Sequence, residues 1–161
     1  MRGLSLKMLK KITNPVLLRS DLLMVVLNRD SHWILVVLDL KAKQICIFDS
    51  IKNPAHKDVV FKLVEVLYQE SESFQSFAIS EWPVIYVELL PRQSSSSDCG
   101  VFVMKYMERL LDISDGEWSW RQYLNWQVEM NVFRAQIAYD IIKFGEQFAK
   151  EPAKDTKFCN I

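Results

Sequence analysis

The run QSSSSDCGVFVMKYMERLL (93–111) sets Cys99 between a serine-rich stretch and a nearly all-apolar segment. Four serines make a flexible polar approach that ends regular structure, and Asp98 is a good N-cap residue. The pattern therefore predicts a helix with Cys99 in its first turn. Unsatisfied backbone N–H groups and the positive end of a helix dipole favour a thiolate over a thiol at such a position. The chemistry this would serve is nucleophilic attack on an acyl carbon, which needs a base and a group to orient that base. A structural explanation competes: a lone cysteine beside Val101, Phe102, Val103 and Met104 also suits an inert, buried small hydrophobe.

His32 and Asp49 supply the base and its orienter. His32 stands immediately before WILVVLDL (33–40), and Asp49 ends QICIF (44–48). A tight hairpin turning at Lys41 and Ala42 pairs Leu40 with Lys43 and Ile34 with Asp49. His32 is then the diagonal neighbour of Asp49 on the same sheet face, about 7–8 Å away by Cα. In that register Asp49 orients His32 and stabilises its protonated form, while His32 takes the proton from Cys99. Lys-Ala is not favoured turn chemistry, so a bulge that shifts the register by one residue is the alternative. Gln93, six residues before Cys99, is expected at the end of a strand, where its amide can donate toward the same point as the Cys99 backbone N–H and form an oxyanion hole. Each residue also has an ordinary explanation: a solvated or core-satisfied histidine, a turn-forming aspartate, a plain loop glutamine. Their complementary roles at element ends, where sites form on rigid scaffolds, favour the chemical reading.

The elements that would hold these residues can be read from hydrophobic pattern. LLMVVL (22–27), WILVVLDL (33–40) and QICIFDS (44–50) are β-branched and apolar runs expected as strands of a buried sheet. NPAHKD (53–58) is turn and helix-start chemistry, and Val59, Val60, Leu63, Val64 and Leu67 then recur at helical spacing to about Gln69. PVIYVEL (83–89) reads as another strand. The segment from Asp98 to Leu111 is apolar on nearly all sides, as a buried central helix would be. Phe133, Ile137, Ile141, Ile142 and Phe148 suggest a further helix closing the core.

Composition bounds the class. At 161 residues, half hydrophobic and a quarter charged, the chain can bury a core without disulfide or metal staples, and a single catalytic domain over 1–150 with a polar tail over 151–161 is expected. The 20 basic and 20 acidic residues balance, so no nucleic-acid partner is implied. Three cysteines without C-x-x-C or metal-ligand spacing point to a reducing, intracellular compartment. The basic N-terminus (Arg2, Lys7, Lys10, Lys11, Arg19) lacks the apolar run of a signal sequence, and no stretch approaches the ~20 apolar residues that span a bilayer.

The motifs HW (32–33), FDS (48–50) and Q-x5-CG within QSSSSDCGVFV (93–103) resemble those of the ubiquitin-like-protein-specific cysteine proteases, which include the SUMO proteases and have adenovirus protease as a distant relative. The order and spacing of His, Asp, Gln and Cys agree with that family over about residues 22–111, and FRAQIAYDII (133–142) fits its C-terminal helix. The resemblance implies an α+β fold of the papain-like cysteine protease type, a central mixed sheet packed against a helix that bears the catalytic cysteine at its N-terminus. It implies catalytic His32, Asp49 and Cys99, an oxyanion hole helped by Gln93, and no metal or cofactor. The implied reaction is cleavage after the C-terminal glycine of a ubiquitin-like modifier, in SUMO-like processing or deconjugation, in the nucleus or cytoplasm. The implied partners are the modifier and its conjugates, with neither nucleic acid nor membrane. The alternative is a catalytically weak or inactive protease-fold module that binds a ubiquitin-like protein or another partner. Family members usually carry a longer segment ahead of the histidine strand, with a tryptophan that helps clamp the substrate's Gly-Gly tail. Here 31 residues precede His32 and the first tryptophan is Trp33, so the expectation is a fragment or divergent copy of a larger enzyme, or a tunnel roof built elsewhere.

Other residues carry weaker expectations. Trp33 should face away from His32 and pack in the core, with substrate binding as its functional alternative. His56 is expected as a solvated loop residue, Cys46 as core, Cys159 as an ordinary tail thiol, and Trp118, Trp120 and Trp126 as buried under the central helix or, alternatively, as a partner-binding patch.

Overall fold

The computed structural model describes residues 19–88, 90–112 and 126–150. The apolar runs form the antiparallel strands β1 (Leu22–Arg29), β2 (His32–Asp39) and β3 (Gln44–Phe48). A short β4 (Val84–Tyr86) joins β3 in parallel, giving a mixed sheet of order β1-β2-β3-β4. The expected strand over 83–89 thus ends early, and Gln93 lies within a loop instead of at a strand end. Pro91, with no N–H to give to a ladder, breaks any strand that would lead into Gln93.

Two turns set the register on which the site depends. Asp30 and Ser31, with φ of 51° and 66°, join the paired residues Arg29 and His32. Positive φ at both turn residues is the type I′ pattern, whose twist matches that of the strands it connects. His32 is thereby fixed as the first residue of β2. Between β2 and β3 the ladder runs from Leu35↔Phe48 to Asp39↔Gln44, the register expected from a turn centred on Lys41 and Ala42. The turn is wider than a two-residue hairpin, because Leu40 to Lys43 lie outside the ladder. Asp39 Oδ1 accepts the Ala42 N–H at 2.7 Å and Lys43 takes φ of 54°. That side-chain bond compensates for the poor turn chemistry of Lys-Ala without shifting the strands.

Ile34 to Leu38 in β2 are at most 1 % exposed, as a strand covered on both faces requires. On one face sits α1 (Lys57–Glu70), whose Val59, Val60, Leu63, Val64 and Leu67 are the buried stripe expected from their spacing. They join Val36, Leu38, Ile45 and Ile47 in one core, closed by Phe74 of α2 (Glu72–Ser76) and by Ile79 and Trp82. Fully buried side chains such as Val60 and Leu67 contribute about 1.5–3 kcal/mol each. The helix α3 (Cys99–Asp112) packs against β2. Its Phe102 and Tyr106 are fully buried, and the Tyr106 ring lies 5.8 Å from Phe48 and 5.4 Å from Trp126. Trp126 is buried as expected, whereas Trp118 and Trp120 lie outside the described residues. Contrary to expectation α3 is not buried on all sides: the apolar Met104 and Leu111 are exposed.

The chain divides into two compact units, residues 1–127 and 128–161. The second contains α4 (Met130–Lys150), with a Gln136 to Asp140 bond of 2.9 Å along its surface. Of the residues expected to close the core, Phe133 and Ile137 are half-buried, while Ile141 and Ile142 are exposed, contrary to expectation. Phe148 and Cys159 lie outside the residues whose side chains are described.

Candidate active site

Asp49, just past the end of β3, is 3 % exposed and accepts four hydrogen bonds. Its Oδ1 takes His32 Nε2 at 2.8 Å and the Ile51 N–H at 3.0 Å. Its Oδ2 takes His56 Nδ1 at 2.7 Å and the Asn53 N–H at 3.0 Å. Burial alone would raise this carboxyl, but the bonds from the Ile51 N–H, His32, His56 and the Asn53 N–H together hold it below the ordinary aspartate value. An ionised Asp49 only accepts, so His32 carries a proton on Nε2 and its Nδ1 is left as the atom that can take one from a nucleophile.

His56 contradicts its expected place in solvent: it is 6 % exposed, and its ring stacks on His32 with centroids 5.1 Å apart at 23°. The cause is local. Asn53 caps the 3₁₀ turn Pro54–His56, its Oδ1 accepting the Ala55 N–H at 3.0 Å, and this turn swings His56 inward at the start of α1. The only sequence signal is the Asn-Pro start of that turn, four residues after Asp49, which sets His56 seven residues after it.

Cys99 opens α3, as the serine run and Asp98 predict, and is 5 % exposed. The Asp98 carbonyl accepts the Phe102 N–H at 3.0 Å, and its carboxylate takes Gln127 Nε2 at 2.8 Å. Gln127 in turn accepts the Ser94 N–H at 2.8 Å, tying the serine loop to the helix start, a role the sequence did not signal. The structure brings His32 and Asp49 into direct contact, whereas among the described residues no hydrogen bond joins Cys99 to His32. Trp33 is not in the core: it is 44 % exposed, and a Cβ added to Gly100 would meet its Cδ1 at 3.7 Å, so its indole lies beside the residue that follows Cys99. It lines a cavity of about 570 Å³ together with Leu27, Arg29, Asp58, Val59 and Lys62.

Gln93 is held firmly. Its N–H reaches the Ser50 carbonyl at 3.2 Å, its Oε1 accepts the Ser50 hydroxyl at 2.6 Å, and its Nε2 donates to the Ser95 carbonyl at 2.6 Å. The first two contacts orient the amide, and one of its two N–H groups remains after the third. The Tyr106 hydroxyl donates to the Pro91 carbonyl at 2.5 Å and pins the same loop to α3.

Cys46 is half-buried, not fully core, and burial together with the Asp39 charge pushes its thiol up to about 11. Donors of His32, Asp49 and His56 converge within 4.8 Å, which is the pattern of a metal site. Their contacts of 2.7 and 2.8 Å are nevertheless hydrogen-bond distances, shorter than the roughly 3.3 Å between neighbouring ligands of a tetrahedral zinc at 2.0–2.1 Å. No described helix is long and apolar enough to cross a membrane.

A family model, "Ulp1 protease family, C-terminal catalytic domain", matches residues 3–146. Sentrin-specific protease 2 of Homo sapiens is 27% identical over 130 residues, covering 78% of this chain and 21% of that protein. A sentrin-specific protease of Caenorhabditis elegans is 29% identical over 126 residues (76% and 17%), and a putative ubiquitin-like-specific protease 1B of Arabidopsis thaliana is 28% identical over 94 residues (57% and 28%). The chain spans less than a third of the length of these curated relatives. Among solved structures, the C-terminal Ulp1 protease domain in complex with Smt3, the yeast orthologue of SUMO, matches with a TM-score of 0.47 and 21% identity over 68% of this chain and 55% of that one. With the family model matching well over half of its length, this chain belongs to the Ulp1 protease family.

Proposed function

We propose that the chain is a cysteine peptidase that cleaves after the C-terminal glycine of a ubiquitin-like modifier, with Cys99, His32 and Asp49 as its catalytic residues. Cys99 Sγ attacks the glycine carbonyl carbon and its proton passes to His32 Nδ1. The tetrahedral intermediate collapses to a thioester as the C–N bond breaks, and His32 returns the proton to the leaving amine. Water, deprotonated by His32, then hydrolyses the thioester and regenerates the Cys99 thiol. The second N–H of Gln93 and the Cys99 backbone N–H are the oxyanion donors, and Trp33, exposed beside Gly100, contacts the glycine-rich tail. The observation that carries this reading is the 2.8 Å bond from His32 Nε2 to a buried, ionised Asp49, which fixes the tautomer that leaves Nδ1 free to act as a base.

A second reading, a protease-fold module that binds a modifier without turnover, draws on the lack of a Cys99 to His32 hydrogen bond. A panel of fluorogenic substrates, each ending in the tail of a different ubiquitin-like modifier, separates the two. The peptidase reading expects release from at least one SUMO-like substrate, abolished by Cys99→Ala. Binding of a modifier without release from any substrate would favour the module.

A further inference from the structure

We infer that His56 is a positioning residue, a second imidazole that holds the Asp49 carboxylate so that its other oxygen meets His32; this rests on the peptidase reading above. The hydrogen-bond directions follow from one obligatory donor. The Ala55 backbone N–H can only donate, so Asn53 Oδ1 faces it at 3.0 Å and Asn53 Nδ2 is turned toward His56 Nε2 at 3.4 Å. His56 Nε2 is therefore an acceptor, and the ring carries its proton on Nδ1. That proton is donated to Asp49 Oδ2 at 2.7 Å.

The turn that presents His56 is itself clamped from outside by two residues and closed by its own hydrogen bond. Arg29, paired across the β1–β2 hairpin with His32, donates from Nη1 to the Ala55 carbonyl at 2.8 Å and ion-pairs with Asp58. The Tyr86 hydroxyl donates to the Asn53 carbonyl at 2.6 Å, and the His56 N–H donates to the same carbonyl at 2.9 Å. The side chain held this way closes the last free side of Asp49 Oδ2 and lies stacked on the face of the His32 ring. Without it the carboxylate can rotate, and the His32 ring loses the neighbour that limits its own rotation. A misplaced base slows a reaction steeply even when no reacting group is removed.

The test uses the full chain and two readouts: the ¹H–¹⁵N signals of the two imidazoles, and the rate at which iodoacetamide alkylates Cys99 at pH 7. In the unaltered protein His56 should show the Nδ1–H form and His32 the Nε2–H form; a His56 protonated on Nε2 alone overturns the inference. His56→Phe keeps a ring but no donor, and it should broaden or lose the His32 Nε2–H signal and slow alkylation about tenfold. His56→Asn restores a donor near the position of Nδ1 and should bring both readouts back to within about twofold of the unaltered protein. An intact signal and rate in His56→Phe, or no recovery in His56→Asn, contradicts the role. Circular dichroism checks folding, and His56→Ala replaces His56→Phe if the latter is unfolded. Alkylation of His32→Ala at the unaltered rate would instead undo the underlying peptidase reading, while the imidazole signals still decide the part played by His56.

Discussion

Asp49→Asn is the substitution whose outcome the hydrogen-bond directions fix most closely. Asparagine offers one oxygen and one NH₂ where the carboxylate offers two oxygens, each accepting one imidazole N–H and one backbone N–H. If the NH₂ faced His56, that ring would have to accept at Nδ1 and move its proton to Nε2, where Asn53 Nδ2 already donates. Facing His32 requires only a tautomer shift in His32 itself. The NH₂ should therefore turn to His32 and drive its proton onto Nδ1, the atom that accepts from Cys99 in the proposed reaction. The Ile51 N–H, which now meets Oδ1 at 3.0 Å, loses its protein acceptor at the half-exposed edge of the site, where water can replace part of the bond. Losing a bond that water can partly replace costs about 0.5–1.5 kcal/mol, and losing the charge on the acceptor weakens the remaining bonds, so a destabilisation of about 1–3 kcal/mol is expected. Wrong-tautomer lesions of such triads cost about 10⁴ in turnover. Urea unfolding followed by tryptophan fluorescence measures the first number, and hydrolysis of the best modifier substrate under folded conditions measures the second. An unchanged unfolding midpoint, or activity within tenfold of the unaltered protein, would refute the deduction.

The same carboxylate predicts an acid limb in stability. Asp49 is held below its ordinary value of 3.8, so its contribution is complete above that pH and is lost as pH falls through the lower, folded value. The urea midpoint of the protein should fall more steeply below pH 4 than that of Asp49→Asn; parallel curves would show that Asp49 is not the group responsible. Cys46, pushed up to about 11 and half-buried, should react with iodoacetamide far more slowly than Cys99 below pH 8, and peptide mapping that found the reverse order would restore the reading of Cys99 as an inert core residue. Ser31 sits at φ of 66°, a left-handed conformation that costs a non-glycine residue about 1–2 kcal/mol, so Ser31→Gly should raise the unfolding midpoint; a lower midpoint would mean the serine is not strained there.

The parts of the fold governed by local pattern were legible in the sequence. The runs around Val25, Val36 and Ile47 are strands and the Val59 to Leu67 stripe is a buried helix face, because short apolar β-branched runs and 3.6-residue spacing report burial directly. The β2–β3 register, and with it the His32 to Asp49 contact, followed from strand lengths and turn position even though the turn itself was wider. What the sequence could not display were contacts set by a non-repeating turn. NPAHKD by itself predicts a solvated His56, because nothing in it reveals that Arg29 and Tyr86 clamp that turn against Asp49. Strand alternation turns Trp33 away from His32 and so predicts it in the core, yet it lies near the strand start, 44 % exposed beside the backbone of Gly100. Gln127 was missed for the same kind of reason: its two bonds span 33 and 29 residues of chain.

The central claim is that Cys99 is a nucleophile aimed at the C-terminal glycine of a ubiquitin-like modifier. Its most direct test is covalent capture. The full chain is incubated at pH 7 with SUMO-type, ubiquitin-type and other modifiers whose C-terminal carboxyl is replaced by a vinyl sulfone, and the products are mapped by mass spectrometry. The account predicts an adduct with a SUMO-type modifier, joined through Cys99, absent from Cys99→Ala and slowed in His32→Ala. A folded chain that forms no adduct with any modifier, or one that is joined through Cys46, would contradict it.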